Sequence, residues 1–300
     1  MPGDFDDILE NSLEDRIARR FAPVYISSSD ESQYLTELEP KLDPRIGLAH
    51  PPWRPYIYYS ALKLKPAADL DAYEINYLSI WDWDSGGILG PLSRHKWDTE
   101  RSAILVIGPR GETDVEIFES REAYLAAHEG TAFDSSTYIQ IKDKRKGATV
   151  FWSEGKHASY SSLPPTFHFD RFELPGTRVD PADYELTDAG TLEKPSPSAP
   201  WILFDQGWGP DRITPVCEQL STRLWNSSTL ERTRKGELKR EDILALQKSM
   251  GLEPTGEIDR ATFKKASHLS PALVRNASEI EPDQLRFALK ESRAIGLLEE

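Results

Sequence analysis

Residues 77–107 read YLSIWDWDSGGILGPLSRHKWDTERSAILVI, an aromatic run, a loop with glycine and proline, and an apolar run. Aromatic and β-branched residues favour strands, so this stretch predicts two strands joined by a loop. Runs of similar character at 56–64, 136–143 and 147–153 predict further strands. The chain is therefore expected to be built from paired strands rather than from alternating strands and helices.

Acidic residues and one histidine concentrate around the loop of this stretch. Asp98 and Glu100 are two residues apart, so in a strand they point to the same face. His95 precedes them and is expected to reach that face, while Asp82 and Asp84 share one parity and would approach from the neighbouring strand. Carboxylates with one imidazole predict a site for Mg²⁺, Ca²⁺ or Mn²⁺ rather than structural zinc. The alternative interpretation is a set of solvated loop and strand-end residues.

Composition limits the classes of partner. The 300 residues carry a formal net charge of −14, which argues against nucleic acid and against electrostatic binding to anionic membranes. The single cysteine, Cys217, excludes an intrachain disulfide and a cysteine zinc cluster. No window approaches the roughly 20 apolar residues of a transmembrane helix, so none is expected. The start lacks a recognisable signal peptide, which predicts a cytoplasmic protein or one secreted without such a signal.

The chain divides into two regions by pattern. Residues 1–226 hold scattered strands and few helices, which predicts a mainly β fold: an antiparallel β-sandwich with a few peripheral helices, one of them over 6–20. Within it, 120–129 (SREAYLAAHE) has the capping pattern of a short helix, and 201–204 (WILF) is typical of a last short strand. Residues 227–300 have helical spacing and predict a small C-terminal helical bundle.

The central stretch resembles a known family. The segments YLSIWDWD, SGGILGPLSR and HKWDTERSAILV are similar to the aromatic strand, loop and Gly-His-Arg-His-Asp-Trp-Glu heptapeptide of the necrosis- and ethylene-inducing-peptide-like cytolysins. They are also similar to the related vacuolar-protein-sorting-associated family. His95, Asp98 and Glu100 fall on the first His, the Asp and the Glu of the heptapeptide. The resemblance implies that these residues, with Asp84 or Asp82, hold a divalent cation.

Three further segments resemble the same superfamily. Residues 153–160 (SEGKHASY) are similar to its Ser-x-His-Gly-x-Tyr segment, which places His157 near the cation. Residues 20–34 and 204–215 resemble the Ala-Pro opening, with its Ser-x-Glu-x-x-Tyr turn, and the Gly-Arg-Trp-Gly ending of the sorting-associated relatives. The heptapeptide's second His is Trp97 here and its Trp is Thr99, so the residues that surround the ligands differ from those of the family. The cytolysins' cysteine pair and a recognisable secretion leader are missing, and these absences argue against a plant-cytolysin role.

Three functional hypotheses follow. In the first, a toxin-like sandwich binds a small polar, lipid-headgroup or glycan ligand through the cation, with Trp83, Trp97 and Tyr160 lining the site. In the second, the protein is a metal-dependent enzyme, a hydrolase or a related catalyst, and His157 is its acid or base. In the third, it is a structural protein with a vestigial site. The sequence leaves the oligomeric state open.

The tail has its own resemblance. Residues 242–266 (DILALQKSMGLEPTGEIDRATFKKA) are similar to the repeat of peptidoglycan-binding-like helical domains, with Leu-Gln, Gly-Leu and Thr-Gly elements. That similarity implies a second binding module for glycan strands. The alternative is a helical bundle that only stabilises the sandwich.

Overall fold

The computed structural model describes the greater part of the region predicted to be β-rich. The described residues are 12–29, 31, 35–44, 49–50, 55–64, 70–84, 95–129, 135–164, 172, 176–206, 215–225, 244, 247–248 and 251–255. The side chains at 49–50 and 95–96 lie outside this description, as does almost all of the predicted bundle at 227–300.

Strands dominate the described residues, which confirms the mainly β prediction. The strands are β1 Val24–Ser27, β2 Glu37–Leu38, β3 Ala49–His50, β4 Tyr56–Lys63, β5 Leu70–Asp84, β6 His95–Pro109, β7 Glu119–Leu125, β8 Thr137–Gln140, β9 Thr149–Trp152, β10 Ser159–Tyr160, β11 Thr177–Val179 and β12 Glu185–Asp188. The helices are α1 Leu13–Arg20 and α2 Val216–Ser221, with 3-10 turns at Val115–Ile117 and Pro200–Leu203. In the part of the chain described, no helix has the length and apolar character needed to cross a membrane.

Two mixed sheets organise these strands. The larger has the order β12-β4-β5-β6-β7-β8, the smaller has the order β10-β9-β1-β11, and β2 pairs with β3 alone. Most neighbours are antiparallel, but β1 runs parallel to β9 and β12 runs parallel to β4. The sheets are therefore not purely antiparallel as predicted. Each contains one parallel pair whose two strands are far apart in the sequence, and parallel neighbours need a crossover connection.

The main apolar core is shared by the two sheets. Residues of β5 at odd positions, such as Tyr77 and Trp81, lie in one cluster with Tyr25 and Trp152 of the smaller sheet. The rings of Tyr25 and Trp152 stack with centroids 3.9 Å apart, and Trp152 meets Trp81 edge-on at 5.1 Å. Because side chains alternate along a strand, the odd positions of β5 face the smaller sheet and the even positions face away from it.

The outer face of the larger sheet is covered by short helical segments. Leu78 and Ile80 of β5 pack in one cluster with Trp201 and Ile202. Residues 201–204 were predicted to form a strand, but they lie mostly in the 3-10 turn Pro200–Leu203. A proline at the first position favours a helical start, and two consecutive buried side chains do not fit the alternation of a half-buried strand.

The predicted helix at 120–129 is also wrong. Its residues contribute to β7, which pairs with β6 on one side and β8 on the other. Ser120, the expected helix cap, instead donates its hydroxyl hydrogen to the carbonyl of Lys146 at 2.6 Å. Pairing between two neighbouring strands outweighs a helix preference that is weak per residue.

The N-terminal helix packs against the sheet through tyrosine hydroxyls. Its predicted C-terminal half is confirmed as α1, which begins after Ser12, whose Oγ accepts from the Asp15 amide. Tyr59 donates to Asp15 at 2.6 Å, and Tyr77 donates to the carbonyl of Ala18 at 2.7 Å. These bonds satisfy polar groups that are buried together with the apolar face of the helix.

The segment around α2 is fixed to the outer sheet face by buried acids. Glu74 accepts from the amides of Leu224 at 3.0 Å and of Trp225 at 3.4 Å. Glu122 accepts from the indole nitrogen of Trp225 at 2.9 Å, and Arg101 donates to the carbonyl of Gln219. Burial raises the pKa of Glu74, although the hydrogen bonds to its carboxylate act in the opposite direction.

Candidate functional site

The pairing of β5 with β6 decides which acids share a face. Asp98 lies opposite Trp81, and Glu100 lies opposite Ser79. Directly paired residues of antiparallel strands point to the same side, so both carboxylates face the smaller sheet. Both residues are buried, with 6% and 7% of their surface exposed. The prediction that these two acids share a face therefore agrees with the register.

The other predicted ligands lie at the adjoining strand ends. His95 is the first residue of β6 and pairs with Asp84, the last residue of β5, while the His95 side chain is outside the described part. Trp81, the partner of Asp98, lies at an odd position of β5, whereas Asp82 and Asp84 lie at even positions. Because side chains alternate along a strand, the pairing of β5 with β6 does not bring Asp82 or Asp84 to the face of Asp98, as the sequence had predicted.

His157 meets the Asp98 carboxylate directly. Its Nδ1 is 2.8 Å from Oδ2 of Asp98, and the imidazole is fully buried. One face of the ring stacks on Trp81, with centroids 3.9 Å apart and planes inclined by 8°. The hydrogen bond and the stacked indole together fix the orientation of the imidazole.

A second carboxylate approaches the far side of the ring. Nε2 of His157 is 3.5 Å from Oε2 of Glu31, an ion-pair distance longer than a good hydrogen bond. Burial alone lowers the pKa of His157, but the hydrogen bond that the ring donates to Asp98 and the negative charges of Asp98 and Glu31 outweigh it and raise the pKa to about 9. The ring is therefore a cation at neutral pH.

The turn that carries His157 has an unusual backbone. The His157 amide donates to the carbonyl of Ser153 at 2.9 Å, and the Ser153 amide donates to the carbonyl of Ala158 at 3.1 Å. Gly155 and His157 have φ values of 65° and 55°, in the left-handed region. Glycine adopts that conformation readily, whereas histidine needs surrounding contacts to hold it there.

Contacts from several segments supply that support. The Gly155 amide donates to Glu31 at 2.7 Å, and the hydroxyl of Ser28 donates to Glu154 at 3.3 Å. The ammonium of Lys156 lies 3.3 Å from Oδ2 of Asp84. Residues 154–157 thus each contact a distant segment. We refer to residues 153–158 as the cationic turn, because it brings Lys156 and His157 to two of the predicted metal ligands.

The fit of a divalent cation depends on His95. Within the described residues, no group of three or more His, Cys, Asp or Glu side chains is arranged to hold a metal ion. Asp98 and Glu100 contribute two carboxylates on one face, the oxygen donors that Mg²⁺, Ca²⁺ and Mn²⁺ prefer. A third ligand on this face would be His95, whose side chain lies outside the described part, so the metal site stays a prediction.

The aromatic residues predicted to line a ligand site are separated. Trp97 is 7% exposed and packs in the apolar cluster of the outer sheet face, on the side away from Asp98. Tyr160 is equally buried and packs with Ala127 and Ala158. Trp83, next to Asp84, is only partly buried and is the aromatic residue of the three that remains partly accessible.

Two charged residues of this neighbourhood were not singled out from the sequence. Glu31 and Lys156 both lie in segments that carry the family resemblance, Glu31 as the acid of the Ser-x-Glu-x-x-Tyr turn. Its place in that motif could have identified Glu31 as a candidate site residue from the sequence. Lys156 gives no comparable signal, since a lysine in a polar turn is usually solvated.

Comparisons of the chain with protein-family models, curated proteins and solved structures find no match.

Proposed function

We propose that this protein binds a polar headgroup or a glycan through a divalent cation held where β5 ends and β6 begins. The observation that carries the proposal is the pair of buried carboxylates, Asp98 and Glu100, on one face of β6. Buried carboxylates are costly unless they meet cations or hydrogen-bond donors, and a site for a metal ion is one reason to keep them.

The proposed ligands are Asp98, Glu100 and His95, with Asp84 or Asp82 as a further donor. When bound, Mg²⁺, Ca²⁺ or Mn²⁺ would offer open positions to hydroxyl or phosphate oxygens. His157 donates to Asp98 and so orients it, as residues around metal ligands commonly do. Trp83, beside Asp84 and partly exposed, is the proposed contact for a sugar ring or a headgroup.

The geometry favours a positioning role for His157 over a catalytic one. A general acid or base must come within hydrogen-bond reach of the substrate. The imidazole is fully buried, its two nitrogens face Asp98 and Glu31, and one ring face is covered by Trp81. These contacts support binding over the hydrolytic alternative.

A second candidate, a structural protein with a vestigial site, is favoured by one observation. Lys156 contacts Asp84 and His157 contacts Asp98, so two predicted ligands already meet cationic side chains of the same chain. In that case the acids and the cationic turn would form a buried ion network whose role is to join the sheets.

We also propose that the chain belongs to the cytolysin-like and sorting-associated superfamily and that its core is an antiparallel sandwich. It is supported by the order of His95, Asp98 and Glu100 on one strand and by the apolar core common to the two sheets. A peptidoglycan-binding-like role for residues 227–300 remains a proposal from the sequence motif alone.

Calorimetric titration of the metal-stripped protein with Mg²⁺, Ca²⁺, Mn²⁺ and Zn²⁺ tests the proposal. We expect binding of one of the first three ions and its loss in Asp98→Ala. Asp143→Ala, which removes an acid from an exposed turn, is the matched control. Vesicle and glycan binding should then require the same ion. Unchanged ion affinity in a folded Asp98→Ala variant would refute the site and favour the structural candidate.

A further inference from the structure

We infer that the loop of residues 142–146, here called the basic loop, is a second binding surface and that it holds a linear sulfated polysaccharide. The loop reads KDKRK, with four basic residues and one acid, in a chain in which acids outnumber basic residues 50 to 36. Short segments rich in lysine and arginine attract polyanions, because their fields add over a small area. This surface is separate from the proposed cation site.

The positive charges of the basic loop are largely uncompensated. All five of its residues are exposed, and Lys146 pairs with Asp143 at 3.2 Å in contact with solvent. Among the residues that the structure describes, Lys142, Lys144 and Arg145 form no ion pair and no side-chain hydrogen bond with one another or with an acid. Like charges on neighbouring side chains repel, so a polyanion that contacts them relieves this repulsion in addition to attracting each one.

The backbone of the basic loop is held from two sides. Ser120 donates its amide hydrogen to the carbonyl of Lys144 at 2.9 Å and its hydroxyl hydrogen to the carbonyl of Lys146 at 2.6 Å. On the other side, Gly147 lies so close to the carbonyls of Phe21 and Ala22 that a Cβ there would clash with both oxygens. Because the backbone is already ordered, a ligand has to order only the side chains.

The basic loop lies at the far end of β6 from the proposed cation site. It follows β8, which pairs with β7, and Ser120 of β7 pairs with Val106 near the end of β6. The cation is proposed to bind near His95, where β6 begins, about 35 Å away along an extended strand. A ligand segment on the loop therefore does not reach that site, and the two surfaces can be tested separately.

The charge of the whole chain favours a thin, linear polyanion over a broad one. The formal net charge is −14, so most of the surface repels anions, but charges farther away than about 8 Å are largely screened at physiological ionic strength. A single flexible chain can contact the basic loop alone. A membrane surface or a DNA duplex is broad and would also approach acids such as Glu116, which is 68% exposed in the turn before β7.

The lack of an aromatic platform favours a polysaccharide over single-stranded nucleic acid. Proteins hold single strands by stacking bases on aromatic side chains as well as by charge. The basic loop contains no aromatic residue, and Phe21, which lies beside it, is fully buried. Sulfate groups on a sugar chain need only cations and hydrogen-bond donors, which lysine and arginine supply.

The experiment measures binding of heparin, a sulfated polysaccharide, by calorimetry between 50 and 200 mM salt with a chelator present. The chelator removes divalent ions, so the result does not depend on the proposed function. In a single-stranded polyanion each neutralised charge contributes about 0.7 to the slope of log affinity against log salt, so four contacts predict a slope of about −3. Lys144→Gln/Arg145→Gln should halve this slope and weaken binding about tenfold at about 0.15 M salt.

Two comparisons separate the basic loop from the general charge of the protein. Arg178→Gln/Lys194→Gln removes one arginine and one lysine at exposed positions elsewhere in the chain and should bind heparin as wild type does. Asp143→Asn removes the acid of the loop and keeps an oxygen that can accept from the Arg145 amide. It should bind about fourfold more tightly, the effect of one additional contact.

The remaining outcomes overturn the inference. If wild type does not bind heparin, or if the control pair of substitutions weakens binding equally, the basic loop is not a polyanion site. Equal or tighter binding of a single-stranded oligonucleotide of matched charge, or of anionic vesicles, identifies another class of ligand. Should Lys144→Gln/Arg145→Gln not fold, as judged by its melting temperature, Lys142→Gln/Lys146→Gln gives the same comparison. Failure of any of these tests leaves the ion titration, and with it the proposed function, unaffected.

Discussion

The imidazole of His157 lies flat on the indole of Trp81, with ring centroids 3.9 Å apart and planes inclined by 8°. Trp81 belongs to β5 and lies directly opposite Asp98 on β6, which holds Nδ1 of the same imidazole. One cross-strand pair therefore supplies both the aromatic surface and the carboxylate that fix His157. A charged imidazole on an aromatic face gains electrostatic attraction in addition to packing.

Protein stability should decrease as pH rises from about 7 to 9. The pKa of His157 is raised from 6.5 to about 9 in the folded protein, so the folded state retains a proton that the unfolded chain releases earlier. A raised pKa stabilises the fold fully below about 6.5, and this stabilisation is lost as pH rises through about 9. Urea denaturation at several pH values measures it.

The control for this effect is His157→Gln. That variant keeps a polar side chain but cannot titrate, so its free energy of unfolding should be lower at pH 6 and should vary less between pH 7 and 9. Parallel pH profiles for wild type and variant would contradict the assignment of the effect to His157.

Trp97 should tolerate glycine better than alanine. Its φ is 62°, a conformation that costs an L-residue roughly 1–2 kcal/mol and costs glycine almost nothing. Both variants lose the burial of the indole, but Trp97→Gly is expected to be more stable than Trp97→Ala by about 1 kcal/mol. Chemical denaturation measures the difference.

Ile104, in the interior of the same strand and without a positive φ, provides the matched comparison. There the usual order should hold, and Ile104→Gly should be less stable than Ile104→Ala by about 0.5–1 kcal/mol. The same order at both positions would show that the Trp97 backbone is unstrained in solution.

Loss of the Glu74 carboxylate should release the segment that follows α2. Glu74→Ala leaves the amides of Leu224 and Trp225 without this acceptor, at a cost of about 1–3 kcal/mol. Hydrogen exchange of these amides should accelerate, whereas exchange in β5 should change little. Glu185→Ala, at an exposed position of β12, is the control. Unchanged exchange at residues 224–225 would exclude this anchoring role.

Local patterns in the sequence located five of the twelve strands that the structure describes, including the three longest. The predicted runs at 56–64, 136–143 and 147–153 contain β4, β8 and β9, and residues 77–107 contain the paired ends of β5 and β6. Alternating apolar side chains and β-branched residues are properties of the strand itself, so they are visible without partners. The two errors, at 120–129 and 201–204, are short segments whose conformation depends on what they pack against.

For the candidate site, the sequence by itself determined that Asp98 and Glu100 share a face, because side chains in any strand alternate with a period of two. Only the tertiary structure decided what meets them. The register places Asp98 beside Trp81 and not beside Asp82 or Asp84. The packing of distant segments also brings Glu31 to His157 and Lys156 to Asp84. Pairing between charges in distant segments has no sequence period, because it depends on how the two sheets and the cationic turn pack together.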